Sequence, residues 1–100
     1  MDSVLQDEKK CFYCGDTRNL ESHHIFGGPD RKVSEKYGLK VWLCNYHHTG
    51  SEFSVHHNKE FAQLLHEVGQ RKWEHDRIAE GMTPEEARER FRREFRKSYL

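Results

Sequence analysis

Two short ligand pairs, Cys11-x2-Cys14 and Cys44-x2-His47, separated by 29 residues, constrain this chain more than any other feature. Each pair lets two ligands converge from one turn, and together they complete the tetrahedron that structural zinc prefers. A fold that uses them must bring both pairs to one point. A redox dithiol at Cys11 and Cys14 would need a core strand leading into the motif and a helix starting there, and neither pattern is present. The odd count of 3 cysteines and the lack of an apolar leader argue against a secreted disulfide framework. We therefore expect a soluble protein of a reducing cytoplasm.

Composition supports a metal staple. The chain has 100 residues, 34% of them hydrophobic, and a mean hydropathy of -1.08. That allows one small domain and excludes a large enzyme with its own deep core. Domains this small and polar usually need a metal or a crosslink. No apolar run approaches the ~20 residues of a membrane span. Formal charge is balanced, 17 basic against 17 acidic residues. Locally, Arg31, Lys32, Lys36 and Lys40 outnumber Glu35, and residues 88–97 hold 6 basic side chains against Glu89 and Glu94. Such patches can bind phosphate even when the sum is zero; the alternative is a solvated face.

The sequence divides into a flexible lead-in (1–10), a zinc-stapled domain (11–80) and a basic amphipathic helix (81–100) packed on that domain. After the knuckle at Cys11–Gly15, Leu20–Phe26 reads as a short strand. Ser34–Gly38 reads as a single helical turn with Ser34 as its cap, and the alternation from Leu39 to Cys44 as a second strand. Asn58 suits the N-cap of a long helix with Phe61, Leu64, Leu65 and Val68 on one face, running on to Trp73 and Ile78 until Gly81. Thr83-Pro84-Glu85-Glu86 has the form of a capping box opening the last helix, whose stripe is Ala87, Phe91 and Phe95. The expected class is α+β.

Histidines carry the chemistry. The doublets His23-His24, His47-His48 and His56-His57 fall within 35 residues. On a strand, neighbours such as His23 and His24 diverge, so one imidazole can bind a metal while the other addresses a nearby water. His66 and His75 read as ordinary surface or packing residues of the long helix.

The run Cys11-x2-Cys14, Leu20-Glu-Ser-His23-His24-Ile25 and Leu43-Cys44-x2-His47-His48 resembles the HNH endonucleases of the His-Me finger (ββα-metal) superfamily, in particular the small, often phage-encoded kind. The likeness spans about residues 11 to 75. It implies a ββα-metal fold, with His24 as general base and His23 and His48 as ligands of a catalytic metal. His56 is the preferred third ligand and His57 the alternative. It further implies DNA as substrate, with weak sequence preference, and 5'-phosphate and 3'-hydroxyl products. One departure stands out: the stretch Tyr37-Gly38-Leu39-Lys40 lacks the family's middle Asn. Asn58 is a displaced equivalent or, as we prefer, simply a helix cap.

The chemistry fits these residues independently of the name. A neutral imidazole can take a proton from water near pH ~7, and a divalent cation offsets the charge that builds at phosphorus. Imidazoles favour zinc, manganese or nickel, whereas magnesium prefers oxygen ligands. Arg31, Lys32, Lys36 and Lys40 are expected to contact phosphates beside the site. Arg88, Arg92 and Arg96 form one helical row that could follow a duplex. Two rivals stay open: a noncatalytic zinc module that binds nucleic acid or protein, and a structural zinc protein of a phage assembly docking through Phe91, Phe95 and Leu100.

Overall fold

The alternation of Val41 and Leu43 with Lys40 and Trp42 produces a strand with one buried face, β2 (Lys40–Cys44), in the computed structural model, which describes residues 1–100. It pairs antiparallel with β1 (Leu20–His24), in a register running from Leu20↔Cys44 to His24↔Lys40. Between the strands lie a tight turn at Gly28–Asp30 and α1 (Arg31–Tyr37); after them come α2 (Asn45–His48), α3 (Lys59–Ala79) and α4 (Pro84–Phe95). The class is α+β. Since Cys11 and Cys14 precede β1 and Cys44 and His47 follow or end β2, this register brings both ligand pairs to the same end of the ribbon.

A two-stranded ribbon cannot stand alone; the helices complete its core. Phe61, Leu65 and Trp73 of α3 and Ala87, Phe91 and Phe95 of α4 are buried, each set at helical spacing. Phe26, just past β1, joins the two layers: its ring centroid lies 4.7 Å from that of Phe95 and 5.5 Å from that of Phe91. Polar contacts fix the approach of α4, with Arg88 Nε 2.7 Å from Glu74 and Tyr37 donating to Glu94 at 2.8 Å.

The apolar face of α3 differs from its sequence reading. Leu64 and Ile78 are 50% and 40% exposed, and the buried stripe passes instead through Gly69. A Cβ at Gly69 would lie 3.0 Å from Ile25 Cγ2 and 3.2 Å from Phe26 Cε2. Both neighbours are buried in the core, so the few tenths of an ångström they must give would come at the cost of their own packing. Alanine gains about 1 kcal/mol in helix propensity, yet overpacking costs about 1–3 kcal/mol. Gly69→Ala should thus lose about 1 kcal/mol net in denaturant unfolding; a more stable variant would show that the contact is loose.

Helix ends follow local chemistry. Asn58 accepts the Phe61 N–H at 3.0 Å, so it caps α3. Thr83 and Glu86 form the reciprocal capping box, and Gly38 ends α1 with φ 69°. Ser34 is the exception. α1 begins at Arg31, three residues earlier than read from sequence, so Ser34 lies inside it. Its buried hydroxyl donates to Phe26 O at 2.8 Å and accepts Phe26 N–H at 3.0 Å. The hydroxyl satisfies the backbone of the chain leaving β1 rather than that of its own helix.

Residues 1–10, read as a flexible lead-in, run beside the ribbon: Val4 N–H donates to Gly38 O, Ser3 Oγ to Lys40 O, and Trp42 N–H to the Gln6 side chain. Val4 and Leu5 pack against the core. No helix is long and apolar enough to cross a membrane.

Candidate functional site

The knuckle forms from two local turns. Gly15, at φ 79°, lets the chain reverse after Cys14, and its N–H donates to Cys11 O at 2.8 Å. On the other side Cys44 ends β2 and precedes the single turn of α2, which carries His47. The ligand atoms of Cys11, Cys14, Cys44 and His47 all lie within 4.8 Å of one another. Cys14 Sγ is 3.8 Å from Cys44 Sγ, and His47 Nδ1 is 3.8 Å from Cys11 Sγ and 3.2 Å from Cys44 Sγ. Tetrahedral zinc with ordinary bond lengths demands separations of about 3.8 Å between sulfurs and about 3.6 Å between sulfur and nitrogen. This Cys3His group could therefore hold a structural metal such as zinc. Burial, together with the neighbouring Cys11 and Cys14 sulfurs, pushes the Cys44 thiol up; a bound cation would offset that cost.

A second cluster begins one residue further along. Successive residues of a helical turn diverge by ~100°, so His48 turns away from the knuckle. It meets His23 of β1 and His56 of the following loop, with all three ligand atoms within 4.8 Å. Two backbone bonds fold that loop back: Val55 N–H to His47 O at 2.8 Å and His56 N–H to His48 O at 3.3 Å. The Nε2 atoms of His48 and His56 are 3.1 Å apart, near the ~3.3 Å that two imidazoles adopt on one tetrahedral cation. His57 lies outside the cluster and is exposed. Burial, then the imidazoles of His48 and His56, pushes His23 down to about 3, so it is uncharged at neutral pH, as a metal ligand must be.

Glu21, which no sequence motif singled out, orients His48: its carboxylate contacts His48 Nδ1 at 2.7 Å and is itself bonded by Asn45. Nε2 is thus turned toward the cluster, the orientation that a carboxylate gives a histidine that is to ligate a metal. The signal was present as i,i+2 spacing, since Glu21 and His23 share one face of β1.

Beside this cluster opens a cleft of about 430 Å³, lined by His23, His24, Gly27, Gly28, Arg31, His48, His56 and His66 among others. His24 has a side chain only 13% exposed, and its Nε2 lies 2.8 Å from Glu35 Oε1. His66, read from sequence as a packing or surface residue, does pack, stacked on Phe26 at 5.4 Å and tilted against Tyr99 at 4.4 Å by ring centroid, but it also forms cleft wall.

The basic residues separate by environment. Arg31 is exposed at the cleft. Lys32 and Lys36 are exposed on α1, the latter 5.1 Å above the Tyr37 ring. Lys40 is held by Glu35 at 2.9 Å. Arg88 is held by Glu74, Arg96 by Asp30 at 2.6 Å and Arg92 more loosely by Glu89 at 3.7 Å. Arg96 has also left the helical path, with φ 67°, so the row read along α4 ends at Arg92. Asn58 is committed to capping α3.

No family model, no curated protein and no solved structure matches the chain. What the arrangement can do chemically rests on its own geometry: a Cys3His group, a three-histidine group one residue away along α2, and an imidazole and a guanidinium in the adjoining cleft.

Proposed function

We propose that this chain is a metal-dependent endonuclease of the HNH type, which hydrolyses DNA phosphodiester bonds within a ββα-metal arrangement stapled by zinc. The observation that carries this reading is the shared cleft: His24, three histidines with converging nitrogens, and Arg31 all border one space. A divalent cation on His23, His48 and His56 would neutralise charge developing on the scissile phosphate. The chain's own groups do the rest. His24 accepts a proton from the attacking water, and Arg31 fixes a phosphate oxygen by charge-assisted hydrogen bonds. Lys32 and Lys36 extend that contact along the backbone, which positions DNA without reading its sequence.

The direct test is incubation of the zinc-loaded protein with supercoiled plasmid and manganese, magnesium, nickel or zinc. Nicked or linear products that require the cation and decline steeply with salt are expected, because phosphate contacts release counterions. No cleavage in any metal would leave the noncatalytic zinc module as the better reading. Metal titration tests the histidine group separately. Glu21→Gln should weaken binding there by about 10- to 100-fold, the usual loss when a ligand's orienting carboxylate is removed. Unchanged affinity would mean that His48 needs no orientation or binds no metal.

A further inference from the structure

The register that pairs His24 with Lys40 places both side chains on one face of the ribbon, and α1 brings Glu35 between them. Glu35 Oε1 lies 2.8 Å from His24 Nε2 and 3.1 Å from Lys40 Nζ, while its Oε2 lies 2.9 Å from Lys40 Nζ. The Met1 amino group also reaches Oε2, at 2.8 Å. No protein group bonds to His24 Nδ1, although the residue borders the cleft.

We propose that Glu35 is a positioning residue that holds His24 as the Nε2–H tautomer and so makes Nδ1 the nitrogen that accepts the proton. This rests on the nuclease reading for its consequence in catalysis, but the tautomer itself does not. An ionised carboxylate only accepts hydrogen bonds, so an imidazole nitrogen 2.8 Å away must donate. Donation from Nε2 leaves the lone pair of a neutral ring on Nδ1. The ammonium of Lys40 contacts both oxygens of Glu35, which restrains the carboxylate from swinging off His24. In agreement, the Met1 amino group, then His24 and Lys40, hold the Glu35 carboxyl well below the ordinary range. Glu35 would thereby do for His24 what Glu21 does for His48: each imidazole on the two sides of the site has one nitrogen assigned to a carboxylate and the other left for chemistry. It also gives Lys40 a role that differs from direct phosphate contact.

Two-bond ¹H–¹⁵N correlation spectra of the zinc-loaded protein, recorded where His24 is neutral and assigned by the signals lost in His24→Gln, read the tautomer directly. The expected result is an unprotonated Nδ1 and a protonated Nε2 in wild type. In Glu35→Gln, whose amide can donate as well as accept, that preference should be lost. In parallel, Glu35→Gln should lower kcat for plasmid cleavage by about 10²-fold, on the scale of a misdirected base, with KM for DNA unchanged. A purely structural role would be preserved by this isosteric change. An Nδ1–H tautomer in wild type overturns the proposal whatever the variants do, and so does a Glu35→Gln protein with wild-type tautomer or kcat. If wild type cuts no DNA in any metal, the nuclease reading falls, and the spectrum still decides whether Glu35 sets the tautomer.

Discussion

His24→Ala should lower the rate of DNA cleavage by about 10²-fold or more, the scale of a positioned proton acceptor, while zinc content, fold and DNA affinity stay near wild type. His24 is suited to so selective a change. Its nitrogens lie outside both metal groups, and its main polar contact is Glu35 on a short helix rather than the aromatic core. His23 and His48 should behave differently. Alanine at either position removes a donor from the three-histidine group, so cleavage should weaken through metal affinity and return in part when metal is added. Extra metal cannot replace a missing base, and His24→Ala should show no such recovery. Plasmid cleavage measured across metal concentration separates the two patterns; wild-type rates in His24→Ala would sink the assignment of the base.

Cys44→Ala should abolish zinc binding and folding together. A structural zinc contributes an apparent ~10 kcal/mol or more in small zinc domains, whereas a whole domain is usually stable by only about 5–15 kcal/mol. Losing one ligand therefore removes an amount comparable to the entire margin. Cys44 is 6% exposed, belongs to the main core cluster and ends β2 where α2 begins. α2 in turn carries His47 to one cluster and His48 to the other. The variant should accordingly lose the three-histidine site as well, visible as loss of its second metal equivalent. Zinc analysis with circular dichroism and thermal melting checks this. A folded, zinc-free protein with an unchanged Tm would refute the knuckle as a staple.

The two assignments are coupled through a single helical turn. Metal at the Cys3His group would fix α2, and α2 sets the direction of His48. Chelation strong enough to strip the knuckle should disrupt the second site even where the chelator cannot reach it. The reverse should not hold, because emptying the group of His23, His48 and His56 leaves the Cys3His ligands that would fix α2 untouched.

The sequence by itself determined whatever depends on near neighbours along the chain. The spacing of Cys11 with Cys14 and of Cys44 with His47 is a property of single turns, so the Cys3His group could be recognised without the fold. Caps are equally local: Asn58, Thr83 and Gly38 act within three or four residues. Strand alternation and the stripe of α4 report burial directly, because one face of each element must leave water. Tertiary structure alone decided matters of distance through space. The resemblance already prefers His56 to His57, but what brings His56 beside His48 is a pair of backbone bonds that fold the loop onto α2. Glu21 and Glu35 found their imidazoles across 27 and 11 residues of chain. Arg96 met Asp30 across 66 residues, and Arg88 met Glu74 on the neighbouring helix, so cations that looked alike in sequence acquired different partners. A side chain's type limits which bonds it can make; only the packed arrangement of elements determines which group is near enough to make them.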